Sequence, residues 1–166
     1  QEQEIRARHA ESTQNLKLSI VRPTNVFGPH SGPWVNSVID VLKSEEPSLV
    51  GSGDKNAGLV YVDNVVDVFV RSAASSKGIG RAYNACDGSD VTWKQYFTDL
   101  ADLANVPAPR PIHPILARIA ASVYETVGHL TRRRDRPPIT REALNLIGSH
   151  HCVPIDRARA ELGYAP

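Results

Sequence analysis

The order of β-rich runs and amphipathic segments constrains the fold more than any other feature of this sequence. The run LKLSIVR at Leu16–Arg22 stops at Pro23, and shorter strand-like runs follow at Ser48–Val50, Leu59–Val62 and Arg81–Ala85. Segments with the apolar spacing of helices separate and follow these runs. Such an order predicts an α/β fold.

Apolar spacing also sets the expected helix positions. Asp63 or Asn64 is expected to cap its helix rather than to act in catalysis, and Thr92 is expected to cap another. The helix after Asp63 should turn one apolar face inward, made of Val65, Val66, Val68, Phe69 and Ala73. Helices are predicted within Gln1–Asn15 and at Trp34–Lys43, Asp63–Ala73, Trp93–Ala104, Ile115–Leu130, Thr140–Ile147 and Ile155–Leu162.

Two glycine-bearing segments are predicted to be loops. TNVFGPHSGP, which follows Pro23, is expected to be irregular, and it is the best placed functional segment because ligands of open α/β sheets bind beyond the carboxyl ends of strands. GSGDKNAG lies between Val50 and Leu59 and suits a tight turn. It does not join the first strand and helix of a βαβ unit, so it is not expected to hold a dinucleotide.

Composition excludes several classes of function. The 19 basic and 18 acidic side chains are nearly balanced, so no nucleic-acid partner is expected. Cys86 and Cys152 have neither disulfide-framework nor zinc-ligand spacing, which favours a reducing cytoplasmic location and no metal. No apolar run reaches the ~18 residues that a membrane span needs. The sequence contains no Met, and we expect a fragment or a processed product.

A family resemblance rests on stretches that occur in a fixed order: VRPTNVFGP at Val21–Pro29, VYVDNVVDV at Val60–Val68 and IDRARAELGYAP at Ile155–Pro166, with RAYNACDG between the last two. Together they resemble the extended short-chain dehydrogenases, the NAD-dependent epimerase/dehydratase group, and are most similar to the 3β-hydroxysteroid dehydrogenase branch. The resemblance implies that residues 1–166 form the C-terminal part of a doubly wound Rossmann-type sheet plus a small mixed α/β substrate-binding lobe.

The resemblance also shows what this sequence lacks. The glycine-rich pyrophosphate motif and the Tyr-x-x-x-Lys pair of proton transfer do not occur, so no catalytic residue is predicted in this chain. The N-terminal dinucleotide-binding half is expected to be absent. The expected partners are that half or another copy of the chain, as in a homo-oligomer, together with a small-molecule substrate.

The resemblance places the cofactor, NAD or NADP, beside Pro23, Thr24, Asn25 and Val26. Their backbone groups would meet the nicotinamide carboxamide, and the Asn25 amide could donate and accept toward cofactor or substrate. The alternative is that Pro23 merely ends a strand and Asn25 makes a local turn bond.

Substrate contacts are predicted from residue type. Trp34 and Tyr61 could line a cleft, since an aromatic ring offers an apolar wall, or they could belong to the core. Arg132 and Arg133 could hold an anionic group or lie in a solvated loop. His150 and His151 beside Cys152 are interpreted as a surface or edge-strand run rather than a metal site.

The expected function of the parent enzyme is hydride transfer between NAD(P) and a secondary alcohol or ketone, with a steroid-like or similarly apolar substrate. Nucleotide-sugar members usually carry an Arg just before the strand that reads LVYV here, and this sequence has Asn56, Ala57 and Gly58 there. A nucleotide-sugar epimerase or dehydratase and a non-catalytic small-molecule-binding module are the alternatives.

Overall fold

The strands of this protein pair in parallel. The computed structural model describes residues 1–11, 17–44, 47–117, 119, 141–151 and 153–166. The strands are β1 (Ile20–Pro23), β2 (Asn25–Phe27), β3 (Ser48–Val50), β4 (Leu59–Tyr61), β5 (Ala82–Ala85) and β6 (Arg110–Ile112). The helices are α1 (Glu2–Glu11), α2 (Ser37–Leu42), α3 (Val62–Ala74), α4 (Trp93–Leu103), α5 (Arg141–Ile147) and α6 (Asp156–Leu162). A π-helix (Gly32–Asn36) leads into α2, and a 3-10 turn (Ser76–Gly78) follows α3.

Each described pair joins strands that are distant in the sequence. β1 pairs with β5, β2 with β4 and β3 with β6, all in parallel. Parallel strands need long crossover connections, which the helices supply here. The predicted α/β fold is therefore confirmed.

The buried residues form two main clusters that share β4. The sheet core contains the buried residues of β5, α3 and α6, namely Val65, Val68, Tyr83, Ala85, Cys86, Ile155, Ala158, Leu162 and Tyr164, with Val60 of β4. The lobe core contains Leu42, Leu49, Ala57, Trp93, Tyr96, Leu100 and Ala101, with Leu59 of β4. Successive side chains of a strand point to opposite faces, so Leu59 and Val60 supply one core each.

The expected irregular loop after Pro23 contains a strand. β2 lies inside TNVFGPHSGP, because the turn-forming residues flank a three-residue extended stretch that pairs with β4. β6 was not predicted either, since Pro111 lacks the amide hydrogen that a central strand requires. The run at 48–50 is a strand as predicted, and the run at 59–62 is a strand up to Tyr61, because Val62 begins α3. The two strands pair with different partners.

Two expectations for α3 were wrong. The N-cap residue is Tyr61, without a side-chain cap bond, and Asp63 and Asn64 lie inside the first turn. Only part of the predicted apolar face is buried: Val65 and Val68 pack in the sheet core, whereas Val66, Phe69 and Ala73 are exposed. Helical spacing predicted that all five residues share one buried face, but it could not show which of them meet the sheet.

Several helix ends agree with the sequence prediction. The Thr92 hydroxyl accepts the Gln95 amide hydrogen at 3.2 Å and caps α4. Gly163 has the left-handed conformation, with φ of 64°, that commonly follows a helix, and it ends α6. Of the predicted helix Ile115–Leu130, residues 115–117 and 119 are helical and the others lie outside the described residues.

Candidate cofactor and substrate site

The loop after β1 is fixed to the carboxyl end of β5. The backbone amide of Thr24 donates to the Ala85 carbonyl at 3.1 Å, and the Thr24 hydroxyl lies 3.3 Å from the same oxygen. Pro23 is exposed at this edge, as expected for the residue that ends the strand. Residues 23 and 24 therefore lie at the carboxyl end of a parallel pair, where the sequence analysis placed the functional loop.

Asn25 connects this loop to the segment before β4. Its backbone amide donates to the Gly58 carbonyl at 3.0 Å, and its side-chain NH2 donates to the Ala57 carbonyl at 2.6 Å. These bonds are long-range, so they differ from the local turn bond that was the alternative role of Asn25. The side-chain carbonyl oxygen of Asn25 accepts no hydrogen bond from the described residues and remains available to a ligand.

The free groups of this loop fit a carboxamide. The Thr24 carbonyl also accepts no hydrogen bond from the part of the chain that the structure describes. Thr24 and Asn25 thus present acceptor oxygens, and the nicotinamide carboxamide has an NH2 group that donates. Val26 is half-buried against the sheet core, and its carbonyl accepts the Ser31 hydroxyl at 3.1 Å, which holds the loop in place.

Asp87, two residues after the end of β5, organises the turn between β4 and α3. Its carboxylate accepts the backbone amide of Tyr61 at 3.0 Å and the side-chain NH2 of Asn64 at 2.8 Å. The sequence analysis did not select this residue. The sequence RAYNACDG does place an acidic residue near the end of a predicted strand, which could have indicated Asp87. Its hydrogen-bond partners, however, lie more than a helix away in the chain.

Trp34 and Tyr61 join the aromatic part of the lobe core. The Trp34 ring lies 5.6 Å from that of Trp93, and the Tyr61 ring lies 5.4 Å from that of Phe27, centroid to centroid. The Tyr96 hydroxyl donates to the Trp34 carbonyl. Trp34 and Tyr61 are each half-buried. They act as core residues that keep part of their surface accessible.

The buried tyrosines are unsuited to proton transfer near neutral pH. Burial raises the pKa of Tyr96 to about 12 and, with Asp87 nearby, that of Tyr164 to about 12. A general acid or base works best with a pKa near the operating pH.

His151 has a structural position. Its Nε2 lies 2.7 Å from the Leu146 carbonyl, and its backbone amide donates to the Asn56 carbonyl at 3.2 Å. No group of three or more His, Cys, Asp and Glu side chains among the described residues could hold a metal ion. Cys152, Arg132 and Arg133 lie outside the described residues.

A cavity of about 760 Å³ opens at the carboxyl ends of β3 and β6. It is not lined by Pro23, Thr24, Asn25 or Val26, so this cavity and the predicted cofactor loop are distinct places. The sequence analysis missed it because its walls come from segments far apart in the chain. The lining residues are Leu49, Gly51, Ser52, Asp54, Lys94, Thr98, Ala108, Pro109, Pro111, Ile112, His113 and Pro114.

Residues 2–86 match the NAD dependent epimerase/dehydratase family. The chain belongs to this family. Its members use NAD or NADP, and the resemblance to extended short-chain dehydrogenases and to their hydroxysteroid dehydrogenase branch is confirmed. Among the described residues, no helix has the length and hydropathy that crossing a membrane requires.

Similar proteins of this family include two reductases. A ketoreductase of Stigmatella aurantiaca, acting on 4-hydroxy-2-methyl-3-oxo-4-farnesyl-3,4-dihydroquinoline-1-oxide, is 28% identical over 88% of this chain and 44% of its own length. A 2-alkyl-3-oxoalkanoate reductase of Stenotrophomonas maltophilia is 27% identical over 95% and 49%. The chain thus spans about half the length of these relatives.

A solved structure of the same fold is UDP-glucuronic acid 4-epimerase from Bacillus cereus in complex with UDP-glucuronic acid and NAD. It matches with a TM-score of 0.61 and 14% identity over 98% of this chain and 44% of the epimerase. This likeness shows the fold alone. The chain therefore has the mixed α/β architecture, with parallel strands, of a Rossmann-type fold.

Proposed function

We propose that this chain supplies the substrate-binding lobe and the last sheet strands of an NAD(P)-dependent oxidoreductase. The reaction is hydride transfer between the nicotinamide and a secondary alcohol or ketone on an apolar compound. The ketoreductase and the oxoalkanoate reductase to which this chain is similar support a ketone substrate.

The observation that carries the substrate class is the packing of the segment before β4. Ala57 is fully buried, and a Cβ on Gly58 would come within 2.4 Å of the His151 carbonyl oxygen. The Asn56 side chain is used within the fold, since its NH2 donates to the Ser89 carbonyl and its oxygen accepts the Gly58 amide. Ala57 and Gly58 leave no room for the arginine fork that pairs with a diphosphate.

The roles in the reaction follow from the free groups. When bound, the cofactor supplies the hydride chemistry. The Thr24 carbonyl and the Asn25 side-chain oxygen would hold the carboxamide NH2 by accepting hydrogen bonds, and they would orient the nicotinamide ring. Because Asn25 also donates to Ala57, the side chain is held in one rotamer and offers its oxygen in a fixed direction.

The test is Asn25→Ala in the intact protein, with Asn36→Ala as the control because Asn36 is exposed and makes no side-chain cap bond. Loss of one hydrogen bond of about 1 kcal/mol lowers kcat/KM for a methyl ketone with NAD(P)H roughly fivefold to tenfold. Unfolding free energy is measured on both variants. If stability and turnover fall by the same free energy, Asn25 has only its structural role.

The substrate panel separates the alternatives. The intact protein is assayed with apolar ketones, sterols and UDP-glucose, and the 166-residue chain alone serves as a control expected to show no turnover. Preference for UDP-glucose would establish the nucleotide-sugar epimerase or dehydratase instead. Ligand binding without any NAD(P)-dependent turnover would establish the non-catalytic binding module.

A further inference from the structure

We propose that the Asp87 carboxylate acts on the nicotinamide through its charge, favouring the oxidised, positively charged ring over the reduced, neutral one. This inference rests on the proposed function, in which the ring lies beside Thr24 and Asn25. It also gives the reaction a direction. A site that stabilises the positive ring stabilises the charge that develops on the cofactor when it donates a hydride, so ketone reduction is the favoured reaction.

Asp87 lies close to both residues of the candidate cofactor loop. Its backbone amide donates to the Leu59 carbonyl at 3.1 Å, and Leu59 is the strand partner of Asn25. The Thr24 amide donates to the carbonyl of Ala85, which precedes Asp87 by two positions. Neighbouring strands are about 5 Å apart and two residues span at most about 7 Å, so the Asp87 carboxylate lies on the order of 10 Å from a ring at this loop.

The charge of Asp87 is not cancelled by the part of the chain that the structure describes. The carboxylate accepts hydrogen bonds from the Tyr61 amide and the Asn64 side chain, and both donors are neutral. Among the described residues no Lys or Arg forms an ion pair with it, whereas Glu2 and Asp67 are paired with arginines. The amino end of α3, which begins after Tyr61, offsets about half a charge. A net negative charge therefore remains.

Partial burial lets this charge act at a distance. Asp87 is half-buried and follows the buried residues Ala85 and Cys86. Arg159 comes near the next residue, since its Nη2 is 3.4 Å from the position that a Cβ on Gly88 would take, but Arg159 is exposed and water screens its charge. At this distance the remaining attraction to a positive ring corresponds to roughly threefold to tenfold in affinity.

The experiment measures the dissociation constants of the intact protein for NAD⁺ by calorimetry and for NADH by fluorescence, or for NADP⁺ and NADPH if these bind more tightly. Asp87→Asn removes the charge and keeps an acceptor oxygen for the Tyr61 amide. Asp90→Asn is the control, because Asp90 is exposed in the same segment after β5. We expect Asp87→Asn to weaken the oxidised cofactor roughly threefold to tenfold and the reduced cofactor less than about twofold. Asp90→Asn should leave the ratio of the two constants unchanged.

A second variant tests the same charge if Asp87→Asn does not fold. The Asn64 side chain lies 2.8 Å from the Asp87 carboxylate, so Asn64→Lys brings an ammonium group to the intact carboxylate. It should shift the ratio of the two dissociation constants in the same direction as Asp87→Asn. The free energy of unfolding is measured on each variant.

Equal loss of affinity for the oxidised and the reduced cofactor would overturn the proposal, because a purely structural role of Asp87 weakens both forms alike. The proposed function fails separately. A ratio that Asp87→Asn changes, without any ketone turnover by the unchanged protein, supports the charge effect and overturns the oxidoreductase. Ketone turnover together with one ratio in the unchanged protein, Asp87→Asn and Asn64→Lys supports the oxidoreductase and overturns the charge effect.

Discussion

The two cores of this protein solve the burial of polar aromatic groups differently. In the sheet core, the Tyr83 hydroxyl donates to the Glu161 carboxylate at 2.8 Å, and the Tyr164 hydroxyl donates to the Cys86 carbonyl at 3.1 Å. In the lobe core, the indole N–H of Trp93 is buried and finds no acceptor among the described residues. Buried polar groups normally have partners. The Tyr96 hydroxyl of the lobe core has one in the Trp34 carbonyl, so the two cores differ in the single indole N–H of Trp93.

The difference has a functional meaning. The lobe core consists largely of ring contacts, with Trp93 beside Trp34, Phe97 and His151. Ring packing tolerates changes of size and shape better than a set of directional hydrogen bonds does. In the proposed function, the lobe that accommodates the substrate consists of apolar contacts, and the sheet that holds the cofactor loop has directional hydrogen bonds.

The largest expected effect is that of Trp93→Ala. Truncating a fully buried Trp lowers the free energy of unfolding by about 3–5 kcal/mol. The loss should lie toward the lower value, because the buried indole N–H that is removed has no hydrogen bond to lose. Because β4 belongs to both cores, we expect a single unfolding transition. Far-UV circular dichroism and Trp34 fluorescence should both report it at the same midpoint. Val68→Ala in the sheet core should shift that same transition. Two separate transitions in Trp93→Ala would contradict the coupling of the cores through β4.

A smaller effect is expected for Gly58→Ala. Gly58 has φ of 56°, and an added Cβ would lie 2.4 Å from the His151 carbonyl oxygen. Gly80→Ala is the matched control, with φ of 74° and no atom within 4 Å of the added Cβ. The left-handed backbone costs roughly 1–2 kcal/mol at both sites. In urea unfolding, Gly58→Ala should lose measurably more free energy of unfolding than Gly80→Ala. Equal losses in the two variants would show that the His151 segment moves away freely.

The smallest expected effect concerns pH and the attachment of α1 to β1. Arg22, and then Arg6, hydrogen-bond Glu2 and lower the pKa of its carboxylate from 4.5 to about 2. Because the pKa is lower in the folded state, the ionised Glu2 carboxylate stabilises the fold above about pH 4.5. This contribution is lost as the pH falls toward 2. Glu2→Gln should therefore unfold with a weaker pH dependence between those values. An identical acid profile for both proteins would show that the pair contributes nothing, as exposed pairs often do.

The sequence predicted elements whose signals are local. α4 has its cap at Thr92, α6 ends at Gly163, and β5 is a short β-rich run, so each was found from neighbouring residues. β2 and β6 exist because a distant strand pairs with them. Their own residues, rich in turn formers and proline, indicate no strand. Since β2 and β6 are strands only because β4 and β3 pair with them, the pattern of their own neighbouring residues does not predict them.

The candidate site divides in the same way. Pro23 and Thr24 were placed at a strand end by the general geometry of parallel sheets, and they lie there. The Asn25 bonds to Ala57 and Gly58 and the role of Asp87 depend on segments brought together by β2–β4 and β1–β5 pairing. The cavity between β3, α4 and β6 depends on a third pairing. Function at such places becomes visible only when the register of each pair is known.

The order of the strand pairs along the chain determines how this protein can acquire its structure. The β2–β4 contact, Asn25 with Leu59, is nested inside the β1–β5 contact, Ile20 with Ala82. Forming the inner pair first shortens the remaining loop and lowers the entropy lost in closing the outer one. The β3–β6 contact, Ser48 with Arg110, crosses both. Any cut between residues 48 and 82 therefore separates partners of at least two pairs, and folding should be slow because every pairing is non-local.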